Sequence, residues 1–377
     1  MYTFDKMKHQ ISILKKSPLA RVHEREGAQM TEFADWLLPL QFTSVLDEHR
    51  ATREAATLFD ISHMGEIEIR GAHALPFLQH LLTSDLEPLT PNRTRYAALC
   101  YEHGGTIDDC FVYCFSRTRY WLVVNAANIV KDVTWLRDHA SRYSVTIRDL
   151  SAETAKIDIQ GPLAVDIASR ISAFPFAMLD RFDIVEVRMA EVPVVVSRSG
   201  YTGEDGLEIY METAYAERLW NALRDCDTRL IPAGLGARDS LRVEACYSLY
   251  GHELSEHISP VEAGIAWVVN HRKKEDFVGK NILLQQKKDG TARSLYVFVM
   301  DGRALPRSGY EIRVGGEQAG WVSSGSFSPY LSASVGMGFI ENRKLAPGDR
   351  IDVMIRDRAH AARIVKRPFY PFKGGRP

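Results

Sequence analysis

Apolar and polar positions alternate strictly in GEIEIRG (65–71), which predicts a strand buried on one face and ending at Gly71. A helical pattern follows, with Leu75, Leu78, Leu81 and Leu82 apolar and Pro76 in the first turn, where it is tolerated. Three strands come next, at 94–100, 107–115 and 120–125, and then a helix from about Ala127 with Ile129, Val133 and Leu136 on one face. AKIDIQG (155–161) opens a second run in the same order: helix around Leu163–Ile171, strands at 181–189, 192–198 and 206–211, helix near Tyr215–Leu223. The repeated order strand, helix, three strands, helix predicts two related α+β units with mostly antiparallel sheets and helices on one face, at about 58–150 and 151–285. Past the polar stretch QQKKDGTAR (285–293), six short strands spaced by turns and without helices predict a small barrel or sandwich over 286–377.

The bulk numbers exclude more than they assign. The 377 residues are 45% hydrophobic and 25% charged, with net charge −1, as in a soluble globular chain with room for two or three cores. A near-neutral chain has no general attraction for nucleic acid or acidic membranes, and its longest aliphatic stretch, near Val192–Val196, is far too short to span a bilayer. The five cysteines include no C-x-x-C, and they read as thiols of a reducing compartment. The first 17 residues read as an extension without a signal-peptide apolar core, so the expectation is a cytoplasmic protein.

Three stretches carry candidate chemistry. In GGTIDDCFVYCF (104–115) an extended chain sends Asp108 to the face of Cys110, Val112 and Cys114, and Asp109 to the face of Ile107, Phe111, Tyr113 and Phe115. Both faces are otherwise apolar, so at least one acid sits at the mouth of a buried strand. In GYTGEDGLEIY (200–210) the glycines precede a strand and not a helix, which excludes a dinucleotide fingerprint. Glu208 there is either an exposed strand glutamate or a carboxylate accepting two parallel N–H bonds from a flat heterocycle. LGARDSLRVEACYSLYG (235–251) reads as one helix between glycines, with Leu241, Ala245 and Leu249 as its packed stripe. Arg238 and Arg242 lie one turn apart on another face, as a surface ion-pair ladder or as the counter-charge of a partner or anionic ligand. Arg238 in the first turn is disfavoured by the helix dipole, which speaks for the latter. His63 lacks a neighbour at zinc-ligand spacing, no H-E-x-x-H occurs, and neither G-x-S-x-G nor a phosphate loop is present. The expectation is therefore no metal, with His63 structural.

Taken in order, FADWLLPLQF (33–42), LFDISHMGEIEIRG (58–71), GGTIDDCFVY (104–113), VVNAAN (123–128), IQGP (159–162), GYTGEDGLEIY (200–210), LGARDSLRVEACYSLYG (235–251), SPVEAGIAW (259–267), VSSGSFSP (322–329) and KRPFY (366–370) resemble the aminomethyltransferase (T-protein) family of the glycine cleavage system. The resemblance spans about residues 18–371 and implies a three-lobed fold with tetrahydrofolate in a central hole, whose first two lobes need not follow the internal repeat. It implies transfer of an aminomethyl group from a lipoylated H-protein to tetrahydrofolate, with release of ammonia, by a monomer or weak dimer. By position it gives the catalytic role to Asp108 and folate contacts to Glu208, Arg238 and Tyr201, with Tyr96, Asn125, Met64 and Trp267 lining the pocket. Asp109 is left as a structural acceptor. Relatives of the fold offer two alternatives: a folate-dependent demethylase acting on a sulfonium, amine or methoxy substrate, and a non-catalytic folate-binding protein. The second is marked by a lysine–glycine–cysteine signature, whereas Cys246 here follows alanine. Asp35, in place of a usual glycine, and the polar HRKKE (271–275) depart from the family pattern.

Overall fold

The computed structural model describes residues 14–341 and 343–374, so most of the N-terminal extension lies outside the described residues. Lys15–Lys16 adds a short parallel strand to the hairpin Gln29–Phe33/Trp36–Gln41. The hairpin turn holds Ala34 at φ 49° and Asp35 at φ 64°. Two consecutive positive φ angles make a primed turn, for which glycine is favoured and aspartate tolerated. Asp35 is tolerated by that conformation.

Two sheets form the middle of the molecule. The first, of five strands, runs Arg93–Cys100, Thr106–Ser116, Arg119–Val124, Gly65–Arg70 and Thr146–Asp149 in spatial order. Helices Ala74–Leu81 and Ile129–Asp138 cover one face, where Ile67, Ile69, Phe77, Leu78, Val112, Leu122 and Leu136 are fully buried. The second, of six strands, runs Ile184–Met189, Val192–Ser197, Gly206–Glu212, Thr154–Gln160, Ala56–Asp60 and Leu230–Pro232. Helices Ala164–Ser169 and Ala216–Cys226 pack on it over Ile157, Ile159, Leu207, Ile209 and Trp220. Each such buried side chain contributes about 1.5–3 kcal/mol relative to exposure. The uncovered faces meet through Tyr113, Trp121, Val123, Ile184, Val195 and Tyr210.

The order of elements follows the periodicity of the sequence, but Thr146–Asp149 and Leu230–Pro232 are strands it does not predict, and two further placements differ. Ala56–Asp60, at the start of the first repeat, belongs to the second sheet, antiparallel to Thr154–Gln160 and parallel to Leu230–Pro232. Its side chains are buried on both faces, which only an interior strand position provides. The segment 235–251 is a helix only over Leu235–Glu244. Cys246 takes φ 57°, Cys246 N–H donates to Val243 O at 3.0 Å, and Tyr247 N–H donates to Arg242 O at 2.9 Å. This is a Schellman end with cysteine where glycine is usual, so Leu249 lies beyond the helix.

Six strands, Arg293–Met300, Ala333–Glu341, Glu317–Ser328, Glu311–Val314, Arg350–Ile355 and Arg358–Ile364, close into a barrel in that spatial order. The polar stretch before it is the end of a helix, Lys280–Asp289, leading straight into the first barrel strand. Among the described residues no helix is long and apolar enough to cross a membrane.

Candidate functional site

The Thr106–Ser116 strand begins against the segment 255–258. Thr106 N–H donates to Ser255 O at 2.9 Å, and its hydroxyl donates to Ile258 O at 2.7 Å. Gly105 is needed there because a Cβ would stand 1.8 Å from Glu256 O. The two acids that follow point opposite ways. Asp108 is completely buried on the helix-covered face, accepting from Asn125 N at 2.9 Å, Asn125 Nδ2 at 2.8 Å and Asn128 Nδ2 at 2.7 Å. Asp109 is half-buried on the open face, where it accepts from Tyr96 OH at 2.7 Å and from Asn125 Nδ2 at 2.9 Å. Asn125 thus binds both carboxylates.

Burial raises the Asp109 carboxyl, and the neighbouring Asp108 charge adds to it, bringing it to about 7. Asp108 is itself raised by burial. Behind it lies Asp132, also fully buried and held well above the carboxylate range by burial and by the Asp108 charge. The sequence reading puts Asp108 at the reaction and leaves Asp109 structural. Their placement points the other way, because the face holding Asp108 is the one the helix covers.

Across the inter-sheet space, Glu208 and Asp158 are directly paired in register on neighbouring strands. Glu208 Oε1 lies 2.8 Å from Lys156 Nζ, and Oε2 accepts from Ser199 Oγ at 2.5 Å and Tyr113 OH at 3.3 Å. Burial opposes ionisation of Glu208, but the Lys156 charge and these donors outweigh it, and the carboxyl is lowered. Arg238 Nη1 donates to Asp158 Oδ2 at 3.0 Å, and its guanidinium lies 4.8 Å from the centre of the Tyr201 ring. Asp158 is raised to about 7 by burial and by the facing Glu208 charge, against the pull of Arg238. Arg238 is therefore not part of a surface ladder. Arg242 is buried, donating to Glu253 at 2.8 Å and to Ser324 of the barrel at 2.8 Å.

Aromatic side chains lie among these groups. Tyr96 and Trp267 lie 5.5 Å apart at 32°, with Trp267 68% exposed, and Tyr201 stacks on Tyr247 at 5.8 Å. Tyr201 lies within electrostatic reach of Asp109, Arg238 and Arg242, and Tyr96 within reach of Tyr201. Met64 Sδ lies 3.7 Å from Lys156 Nζ. Seven of the eight residues picked from the sequence therefore lie among these groups, and Asp108, on the covered face, joins them only through Asn125. A surface groove lined by Trp121, Leu150, Glu153 and Tyr210 contains none of them.

Sequence reasoning misses Lys156, Asp158, Asp132 and Glu66. A signal for the first two is present: in AKIDIQG the positions 156, 158 and 160 are all polar, giving one face of a buried strand three hydrogen-bonding side chains. His63 is buried and packs edge-on to Phe33 at 5.6 Å, but its Nδ1 has no hydrogen-bond partner among the described residues. Burial, with the Arg238 charge adding, lowers it to about 3.

Comparison with known proteins places these features in context. Residues 19–273 match the family model described as the GCVT N-terminal domain, and residues 293–371 match that of the glycine cleavage T-protein C-terminal barrel domain. The chain is 44% identical over 360 residues to an aminomethyltransferase of Caldanaerobacter subterraneus subsp. tengcongensis, covering 95% of this chain and 96% of the relative. It is also 44% identical over 361 residues to the aminomethyltransferase of Geobacillus kaustophilus, covering 95% and 99%. The crystal structure of glycine cleavage system aminomethyltransferase T from Bartonella henselae superposes with a TM-score of 0.90 at 32% identity, covering 95% of this chain and 99% of that one.

Proposed function

Because the chain belongs to the glycine cleavage T-protein family and is an aminomethyltransferase, we propose that the cluster around Asp109, Glu208 and Arg238 takes tetrahydrofolate and receives the aminomethyl group from the lipoyl arm of an H-protein. The products are ammonia, 5,10-methylenetetrahydrofolate and the dihydrolipoyl arm, whose sulfur leaves as a thiol. The observation that carries this reading is the gathering of those three groups with Tyr96 and Tyr201.

The residues suit a reduced pterin. Its pyrimidinone edge presents neighbouring N–H donors to an acidic acceptor, and Glu208 is held ionised for that purpose by Lys156. Tyr96, Trp267, Tyr201 and Met64 offer apolar and π surface to the flat rings. Bound tetrahydrofolate supplies the nitrogen nucleophiles that accept the carbon.

Asp109 does the electrostatic work on the protein side. Positive charge grows on the carbon–nitrogen unit as the carbon–sulfur bond breaks, and a carboxylate fixed by Tyr96 and Asn125 stabilises it without reorganising. With its pKa near neutrality, Asp109 also accepts a proton from the attacking nitrogen. Asp108 acts through Asn125 and through its charge, as a positioning residue. Incubation with tetrahydrofolate and aminomethylated H-protein should release ammonia and methylenetetrahydrofolate in equal amounts. Transfer from a methyl donor instead, with no ammonia, would move the protein to the demethylase class.

A further inference from the structure

Lys156 is 2% exposed and carries three N–H donors, yet one strong acceptor, Glu208 Oε1 at 2.8 Å, is in contact with it. Its other contacts are the weak acceptor Met64 Sδ at 3.7 Å and the Tyr210 ring at 4.9 Å. Around it two more buried polar groups lack partners among the described residues: both carboxyl oxygens of Glu66, and Nδ1 of His63. Leaving such a group unpaired costs about 1–3 kcal/mol. Three incompletely satisfied groups beside one binding residue therefore describe a surface that a polar ligand completes. Counter-charge alone does not explain them. Glu66 is raised to about 8 by burial, despite the nearby Lys156, so at neutral pH it is mostly uncharged and leaves the ammonium to Glu208. Asp158 is engaged by Arg238 and by Gln160 at 2.5 Å.

We propose that Lys156 is a ligand-recognition residue, donating its free N–H groups to the ring carbonyl adjacent to the N–H donors that Glu208 accepts. The proposal rests on the folate reading of the site and deepens it. The side-by-side pair Lys156–Glu208 presents a donor next to an acceptor, the complement of a cyclic amide edge. A ring with an amino group in place of that carbonyl opposes donor to donor, so the pair selects 4-oxo over 4-amino pterins.

Calorimetric Kd values for tetrahydrofolate and for a 2,4-diamino pterin, measured on wild type, K156M and K156Q, test this. Wild type should prefer the 4-oxo ligand by about tenfold or more, the worth of one charge-assisted hydrogen bond. K156M, which also removes the counter-charge of buried Glu208 and so lowers the apo melting temperature, should lose that preference, and K156Q should keep part of it. If K156M does not fold, the preference in K156Q decides. Equal weakening towards both ligands would reduce Lys156 to a counter-ion of Glu208, and an unchanged preference would remove it from recognition; either overturns the proposal. Wild type binding neither ligand would overturn the folate reading itself, and does so before any variant is measured.

Discussion

The two adjacent aspartates differ in what surrounds them more than in what they are. Asp108 has no exposure and takes Asn125, Asn128 and the buried Asp132 carboxyl as neighbours; Asp109 shares Asn125 and lies on the opposite face with Tyr96. Asp109→Asn should lower turnover by about two orders of magnitude or more, since it removes both the fixed negative charge and the proton acceptor. Tetrahydrofolate affinity should change little, and rapid-quench ammonia release with parallel calorimetry would check both. Asp108→Asn makes a different prediction. Deleting a negative neighbour makes Asp109 easier to ionise, so the acid limb of the kcat/KM profile should move to lower pH than in wild type. The acid pair itself was legible in the sequence, as were Glu208 and Arg238. Which acid the helix buries was not, because Cys110 and Val112 on one side and Phe111 and Tyr113 on the other are equally apolar. Only the helix Ile129–Asp138, packed over one face, breaks the tie.

Among the elements, periodicity carried the strands and helices well, because each buries one face and so keeps its period. It carried less where the chain depends on a close approach or an unusual dihedral. The end of the Leu235–Glu244 helix is marked by Cys246 at φ 57°, and no glycine or proline announces it. The sheet membership of Ala56–Asp60 depends on long-range pairing that local pattern does not encode. Gly105 is the case with a measurable consequence. Its missing side chain lets Thr106 hydrogen-bond to both Ser255 O and Ile258 O, which fixes the strand that delivers both aspartates. Gly105→Ala should force the strand mouth off residues 255–258 at about 1–3 kcal/mol, the usual range for overpacking. Urea unfolding would read the loss of stability. The kinetic signature should be a fall in kcat larger than any rise in KM for tetrahydrofolate, because the displaced groups are the acids and not Glu208.

At the scale of the molecule, the barrel is tied to the sheets by buried charge as well as by apolar packing. Glu244 at the end of its helix is fully buried and takes Arg53 Nη2 at 2.8 Å, His49 Nε2 at 3.0 Å, the Ser328 hydroxyl and Tyr330 N–H at 3.1 Å. The first two come from the helix Val45–Glu54 and the last two from the barrel side, so one carboxylate joins three parts of the fold. The sequence shows this residue only as one charge on an amphipathic helix; its partners lie 84 and more positions away. Burial opposes its ionisation, but His49, Ser328 and Arg53 prevail and hold it at about 2. A folded pKa below the unfolded value means stability present above about pH 4.5 and lost as pH falls towards 2. Glu244→Gln leaves Arg53 and His49 facing a neutral amide, and breaking such a buried pair costs about 3–5 kcal/mol. Denaturant unfolding at pH 7 should show that deficit. It should shrink when the comparison is repeated near pH 3, because protonation then takes from wild type what the substitution had already removed. A deficit that stays constant with pH would mean that the carboxylate holds the lobes by shape and not by charge.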